Sequence, residues 1–158
     1  MRKLLLASVA SLIFSTSAFA EDIKIGIILG FTGPIESLTP AMAQGAEAAI
    51  AEVSASGQLL SGSTVTAIRA DSTCIDSAVA SANAEKLITA DKVNGIMGAD
   101  CSGVTGAILA NVAMANGMVM ISPSATSPAL STAEDNGLFF RTAPSDARQG
   151  AIMSSVLM

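Results

Sequence analysis

Apolar residues fall along the chain in two alternating rhythms. Ile23-Lys24-Ile25-Gly26-Ile27-Ile28-Leu29 is a β-branched run, apolar at nearly every position, as expected for a strand buried on both faces. Gly30-Phe31-Thr32-Gly33-Pro34 ends it with turn residues. A helix is predicted from Thr39 as N-cap with Pro40 at the first helical position, where no amide donor is missed. Met42, Ala46, Ile50 and Val53 share its inner face and Gly57 stops it. Thr64 to Ala70 reads as a second strand. Asp76 caps a second helix with Ala80, Ala84, Leu87 and Ile88 facing inward.

Asn94 to Gly98 is a short third strand. Ser102 caps a helix whose stripe is Val104, Ile108, Val112 and Ala115. Met118 to Ile121 is a fourth strand, entered through Gly117. The Ser/Thr/Pro loop 122–128 leads to a fifth strand, Leu138 to Arg141. Ser145 or Asp146 caps a last helix with Ile152 and Val156 on one side. The order β-α-β-α-β-α-β-loop-β-α predicts an α/β fold: a three-layer, Rossmann-like open parallel sheet joined by right-handed crossovers.

The first twenty residues break this rhythm. Arg2 and Lys3 precede an apolar stretch, Leu4 to Phe14, and Ala18-Phe19-Ala20 is a small-x-small cleavage pattern. Even Leu4 to Ala20, interrupted by Ser and Thr, is shorter than the roughly 20 residues a bilayer requires. Residues 1–20 therefore read as a cleaved signal peptide, with the mature chain starting at Glu21 in the periplasm and not embedded in the membrane. Export changes how the two cysteines read. In an oxidising compartment Cys74 and Cys101 favour a disulfide over two unrelated buried thiols. If the second and third strands flank the first, they lie about 9.6 Å apart. A disulfide needs Cα atoms roughly 4.4–6.8 Å apart, so such a bridge must arch through the loops beyond the first strand.

Composition narrows the chemistry. The 158 residues contain no His, so a Ser/His/Asp triad, a Cys/His dyad and a histidine-ligated metal are excluded within this chain. No cofactor, no metal and no enzymatic activity are expected. The formal net charge is −5 and the 8 basic residues form no cluster, which argues against nucleic acid. Gly26, Gly30 and Gly33 do not make a dinucleotide fingerprint. Ligands of open α/β sheets bind beyond the carboxyl ends of the strands. Three segments meet there: 30–38, 100–103 and 123–126. They are rich in small hydroxyl residues, with Glu36 and Asp100 the charged exceptions. Ser102 is the chief candidate for holding a carboxylate or phosphate; its alternative role is a plain helix cap.

A set of ordered motifs resembles the periplasmic Leu/Ile/Val-binding proteins of ABC transporters. It comprises Glu21-Asp22-Ile23-Lys24-Ile25-Gly26, Gly33-Pro34, Gly45-Ala46-Glu47, and Asp71 with Cys74. Gly98-Ala99-Asp100-Cys101-Ser102, the loop from Ile121 to Pro128, and Phe140-Arg141-Thr142 followed by Asp146, Gln149 and Gly150 complete it. The resemblance implies a disulfide between Cys74 and Cys101. It implies that Ser102 binds a ligand carboxylate through hydroxyl and amide, and that Thr126 binds both carboxylate and ammonium. The backbone carbonyl of Ser124, at a position where the family has alanine, would accept from the ammonium. Leu38 stands where the family has a side-chain-contacting tyrosine, which opens the pocket to ligands other than Leu, Ile or Val.

Such proteins have two lobes. The resemblance thus implies an N-terminal lobe over 21–143 and the opening of the first helix of a second lobe over 144–158, with the chain a fragment of a longer protein. The implied function is capture of an amino acid, branched-chain or related, by a monomer that delivers it to membrane permease subunits of an ABC importer. Two other classes remain: a ligand-sensing domain of a receptor or regulator with the same fold, and an exported hydrolase whose nucleophile lies beyond residue 158, since no Ser sits in GxSxG.

Overall fold

The computed structural model describes residues 21–59 and 62–158. The expected leader, residues 1–20, lies outside the described residues. Five strands form one all-parallel sheet: β1 (Asp22–Leu29), β2 (Thr64–Asp71), β3 (Gly95–Gly98), β4 (Met120–Ser122) and β5 (Phe139–Arg141). Their order is β2-β1-β3-β4-β5, so the chain reverses direction across the sheet after β2. The switch point between β1 and β3 is where this architecture opens a crevice at the carboxyl ends of the strands.

The helices are α1 (Thr39–Ala55), α2 (Ser77–Thr89), α3 (Ser102–Ile108), α4 (Met114–Asn116) and α5 (Asp146–Leu157). Successive residues of β1 point to opposite faces, and each face has its own core. Ile28 joins Ala80, Ala84 and Leu87 of α2 and Val104 and Ile108 of α3, with Met120 and Phe139 alongside. Ile27 and Leu29 pack on the other side with Ala43 of α1, flanked by Met42, Ala46 and Ile50. Burying one such aliphatic side chain contributes roughly 1.5–3 kcal/mol.

Alpha-helical spacing fails at identifiable points. The N-cap of α1 is Leu38, with no side-chain cap. Thr39 is instead fully buried, and its hydroxyl donates to Gly30 O at 3.0 Å. That bond reaches from the helix start to the end of β1, a more useful partner than its own first turn. Between α3 and α4 the chain makes a π-helical turn, Leu109–Ala113. Its wider turn sets back the phase of the stripe, so Ala113 is buried and Ala115 is exposed. Val53 is also exposed, and its neighbour Ser54 faces the sheet instead: its hydroxyl donates to Val65 O of β2 at 2.9 Å and accepts from Val65 N at 2.6 Å.

The sheet is covered unequally. Among the described residues α1 shields β1 and β2 on its face, while Val119, Ile121 and Phe140 farther along that face stay exposed, Ile121 by 45% and Phe140 by 53%. A shallow apolar groove of about 340 Å³ runs there, lined by Ile25, Met97, Val119 and Ile121. Helix α5 buries none of its residues, so Ile152 and Val156 do not dock on the sheet.

Candidate ligand-binding site

Four strand ends converge at the carboxyl edge of the sheet. Gly30 follows strand β1 directly, at a position tight for any side chain. A Cβ there would lie 3.1 Å from Cys74 Cβ and 3.4 Å from Asp100 Oδ2. The Cys74–Cys101 disulfide, with a Cα–Cα distance of 5.2 Å, arches over this glycine. It joins the loop after β2 to the loop after β3, in the only way open to strands separated by β1. Thr73 and Cys74 both adopt left-handed backbone, φ 56° and 70°, to reach it.

The loop after β1 is tied to the loop after β2 by Asp71. Its carboxylate accepts from Thr32 N at 3.2 Å, from Thr73 N at 2.8 Å and from the Thr32 hydroxyl. Burial pushes this carboxyl upward. The Thr32 hydroxyl and the amides of Thr73, Thr32 and Phe31 outweigh that and hold its pKa below the usual carboxylate value. A Cβ added to Gly33, at φ +96°, would lie 2.5 Å from Thr73 O, so glycine is what lets the loop run this close to residue 73.

The N-cap of α3 is Cys101, which makes Ser102 the first helical residue rather than the cap. Its side chain is free of that duty and reaches across to the Ser/Thr/Pro loop, where Oγ accepts from Ser127 N at 3.1 Å. The hydroxyl proton of Ser102 has no acceptor among the described residues, so it can be given to a ligand. Ser124 Oγ donates to Asp100 O at 3.0 Å, while no hydrogen bond from the described residues reaches the Ser124 carbonyl. Thr126 Oγ1 donates to Asp146 Oδ2 at 3.0 Å and Thr126 O accepts from Asp146 N at 3.0 Å. Ser102, Ser124 and Thr126 thus belong to one hydrogen-bonded edge that ties β3, β4 and the start of α5.

Leu38 is not part of that network. It is 61% exposed at the N-cap of α1, on the loop after β1. A concavity of about 320 Å³ opens beside Thr126, between the loop and α5, and is lined by Pro144, Asp146, Arg148, Ile152 and Met153; Ser102 and Ser124 are not among its walls.

Two structural groups at this edge escape a reading by local pattern. Asp100, 3% exposed, takes Gly30 N–H on Oδ2 at 2.9 Å, and the Ser72 hydroxyl and Cys101 N–H on Oδ1 at 3.2 and 3.0 Å. Arg141 forks into the Ser/Thr/Pro loop: Nη1 donates to Ala125 O at 3.2 Å and Ser127 O at 2.9 Å, and Nη2 to the Ser131 hydroxyl. The available signal for Asp100 was an acidic residue between an apolar strand and the Cys-Ser pair. Among the described residues no cluster of three or more His, Cys, Asp or Glu could hold a metal ion. No helix among them is long and apolar enough to cross a membrane. The edge presents hydroxyls, amides and carbonyls, groups that can bind and orient a small polar ligand.

Comparison with known proteins agrees with this fold. The Leu/Ile/Val-binding protein of Escherichia coli (strain K12) is 33% identical over 156 residues, which is 99% of this chain and 41% of that protein. The chain therefore spans about two-fifths of the length of the curated relatives it matches. The fold matches the isoleucine complex of a branched-chain amino acid transporter substrate-binding protein from Streptococcus pneumoniae. The TM-score is 0.71 and the identity 30%, over 80% of this chain and 35% of that one. An ABC transporter substrate-binding protein from Desulfitobacterium hafniense, solved with Leu, gives a TM-score of 0.71 at 28% identity, over 87% of this chain and 39% of that one. The model of the periplasmic binding protein family matches residues 22–157, nearly the whole of the described chain: the chain belongs to that family.

Proposed function

We propose that this chain supplies one wall of the ligand cleft of an exported solute-binding protein, which captures an amino acid, branched-chain or related, and hands it to the membrane permease of an ABC importer. Residues 21–143 are the N-terminal lobe and 144–158 begin the next one; the absence of any buried residue in α5 supports that division. Residues 1–20 direct the protein to the periplasm. Solved relatives that hold isoleucine and leucine support the ligand class.

One observation carries the reading. Ser102 Oγ accepts from Ser127 N and so keeps its proton for a ligand carboxylate, while the Ser124 carbonyl, two residues before Thr126, is open to an ammonium. A zwitterion needs that pairing of a donor and an acceptor on neighbouring loops. Thr126 donates its proton to Asp146, and a ligand carboxylate would compete for that proton. Leu38, in the place of an aromatic ring, leaves a roomier wall for the ligand side chain.

The test is titration calorimetry of the full-length mature polypeptide against a panel of aliphatic and polar amino acids. Binding of at least one is expected; no heat with any of them sinks the assignment. Ser102→Ala and Thr126→Ala should each weaken binding by about 1.5–3 kcal/mol, the worth of a hydrogen bond to a charged group. Unchanged affinity in both would show that these residues do not hold the ligand.

A further inference from the structure

We infer that Asp100 is the positioning residue of this edge and that it acts through Ser102; the inference rests on the amino-acid-binding role proposed for Ser102. Asp100 is a buried carboxylate that makes no ion pair among the described residues. Burying such a charge is costly unless several donors satisfy it. Its donors come from separate parts of the chain: Gly30 at the end of β1, Ser72 beyond β2, and Cys101 immediately before Ser102. Its own carbonyl accepts from Ser124 beyond β4. One residue therefore sets the relative positions of the loops after four of the five strands.

The chemistry explains why this residue is an acid. Gly30 N–H and Cys101 N–H can only donate, and they approach different oxygens. A carboxylate accepts on both oxygens. An asparagine turns its NH₂ toward one of the two N–H groups whichever way it flips, and that contact is lost. With oxygen kept on Gly30, the Ser72 hydroxyl can reverse and accept, but Cys101 N–H cannot. In that orientation the loosened unit is Cys101-Ser102, whose Oγ must stay in reach of both Ser127 N and a ligand; in the other, Gly30 N–H loses its acceptor and the tie from β1 to residue 100 is broken. The disulfide holds Cys101 through its side chain, and Thr105 N and Oγ1 hold its carbonyl at 3.0 and 2.8 Å; its amide N–H is held by Asp100.

A double-mutant cycle on the full-length mature polypeptide tests this, read as affinity for the amino acid that binds best in the calorimetric panel. Asp100→Asn should weaken binding about tenfold in the wild-type background and less than about twofold in the Ser102→Ala background, because a residue that acts through Ser102 has nothing left to position. Equal losses in both backgrounds, or no loss in the first, overturn the inference. Where Asp100→Asn does not fold, or Ser102→Ala binds too weakly to measure, Ser72→Ala decides. It removes one of the three donors and keeps the carboxylate. A loss of about threefold at unchanged melting temperature supports the inference, and unchanged affinity overturns it. A wild-type protein that binds no amino acid overturns the proposed function as well, and the first titration distinguishes that result.

Discussion

Replacing both cysteines by alanine should cost the protein about 3 kcal/mol. The bridge joins residues 27 apart and encloses α2 and β3. In the chain-entropy treatment a loop of that size restricts the unfolded chain by about 3.5 kcal/mol. Against this stands backbone strain, since Thr73 and Cys74 both lie in the left-handed region, and each such residue costs roughly 1–2 kcal/mol. Release of the bridge lets that segment relax only in part. Thr73 is also held by Asp71, and Gly33 packs against its carbonyl, so its conformation survives without the sulfurs. The net loss should then fall between about 2 and 3.5 kcal/mol. The chain has no Trp and no Tyr, so urea denaturation is best followed by far-ultraviolet circular dichroism. With a slope of about 1–3 kcal/mol/M, the midpoint should drop by roughly 1–3 M at constant slope. Reduction of the wild-type protein by a dithiol should reproduce the shift. A loss under about 1 kcal/mol would mean that the loops are held by Asp100 and Asp71 alone and that the entropic reasoning fails here.

Gly98→Ala should destabilise by about 3 kcal/mol or more, because φ is +136° and the new Cβ would lie 2.1 Å from Ile28 O; a wild-type melting temperature would contradict the backbone geometry. Asp71 has a folded pKa held below its unfolded value, so its stabilising contribution is present above about pH 4 and is lost as pH falls through the depressed value. Melting curves from about pH 7 to 3 should therefore show the gap between wild type and Asp71→Asn closing only at the acid end, and a gap that does not change with pH would refute this. Arg141→Ala should cost about 1–3 kcal/mol and speed proteolysis within 123–131, with Arg141→Lys recovering little because a single ammonium nitrogen cannot stand in for two guanidinium nitrogens, one on the two carbonyls and one on the hydroxyl. Equal protease resistance in all three proteins would show that the loop does not depend on the guanidinium.

The parts of the fold written in local pattern were legible before any coordinates. The β-branched run from Ile23 to Leu29 and the shorter apolar runs after it mark the strands, and Asp76 caps α2 from Ala78 N and Val79 N as its position suggests. The arch of the disulfide over β1 followed from strand spacing. What was not legible depends on partners distant in sequence. Thr39 has the side chain of a cap, but the Gly30 carbonyl nine residues back is the better acceptor. The π-helical turn leaves no trace in an Ala-rich stretch, and it alone moves Ala115 out of the core. Ser102 carried a cap signal, yet Cys101 holds that position, its carbonyl accepting the first helical bond from Thr105 N at 3.0 Å. Asp100 shows the same limit at the site. Two of its three donors lie 70 and 28 residues away, and its place before Cys101-Ser102 does not reveal them.

The handedness of the crossovers bears on the uncovered part of the sheet. From β1 the chain moves outward through α1 to β2, and from β3 outward through α3 to β4 in the opposite sense, which places the two helices on opposite faces. A right-handed crossover that continued past β5 would run in the same sense as β3 to β4 and so deliver its helix to the face α2 and α3 already occupy. Lengthening the sheet at its β5 edge can therefore never roof Ile121 and Phe140. Only a segment that travels back toward β2, or one that enters without joining a crossover, reaches that face. The sheet is in this sense a one-way surface, open to extension at its rim and closed by chirality to self-completion from there.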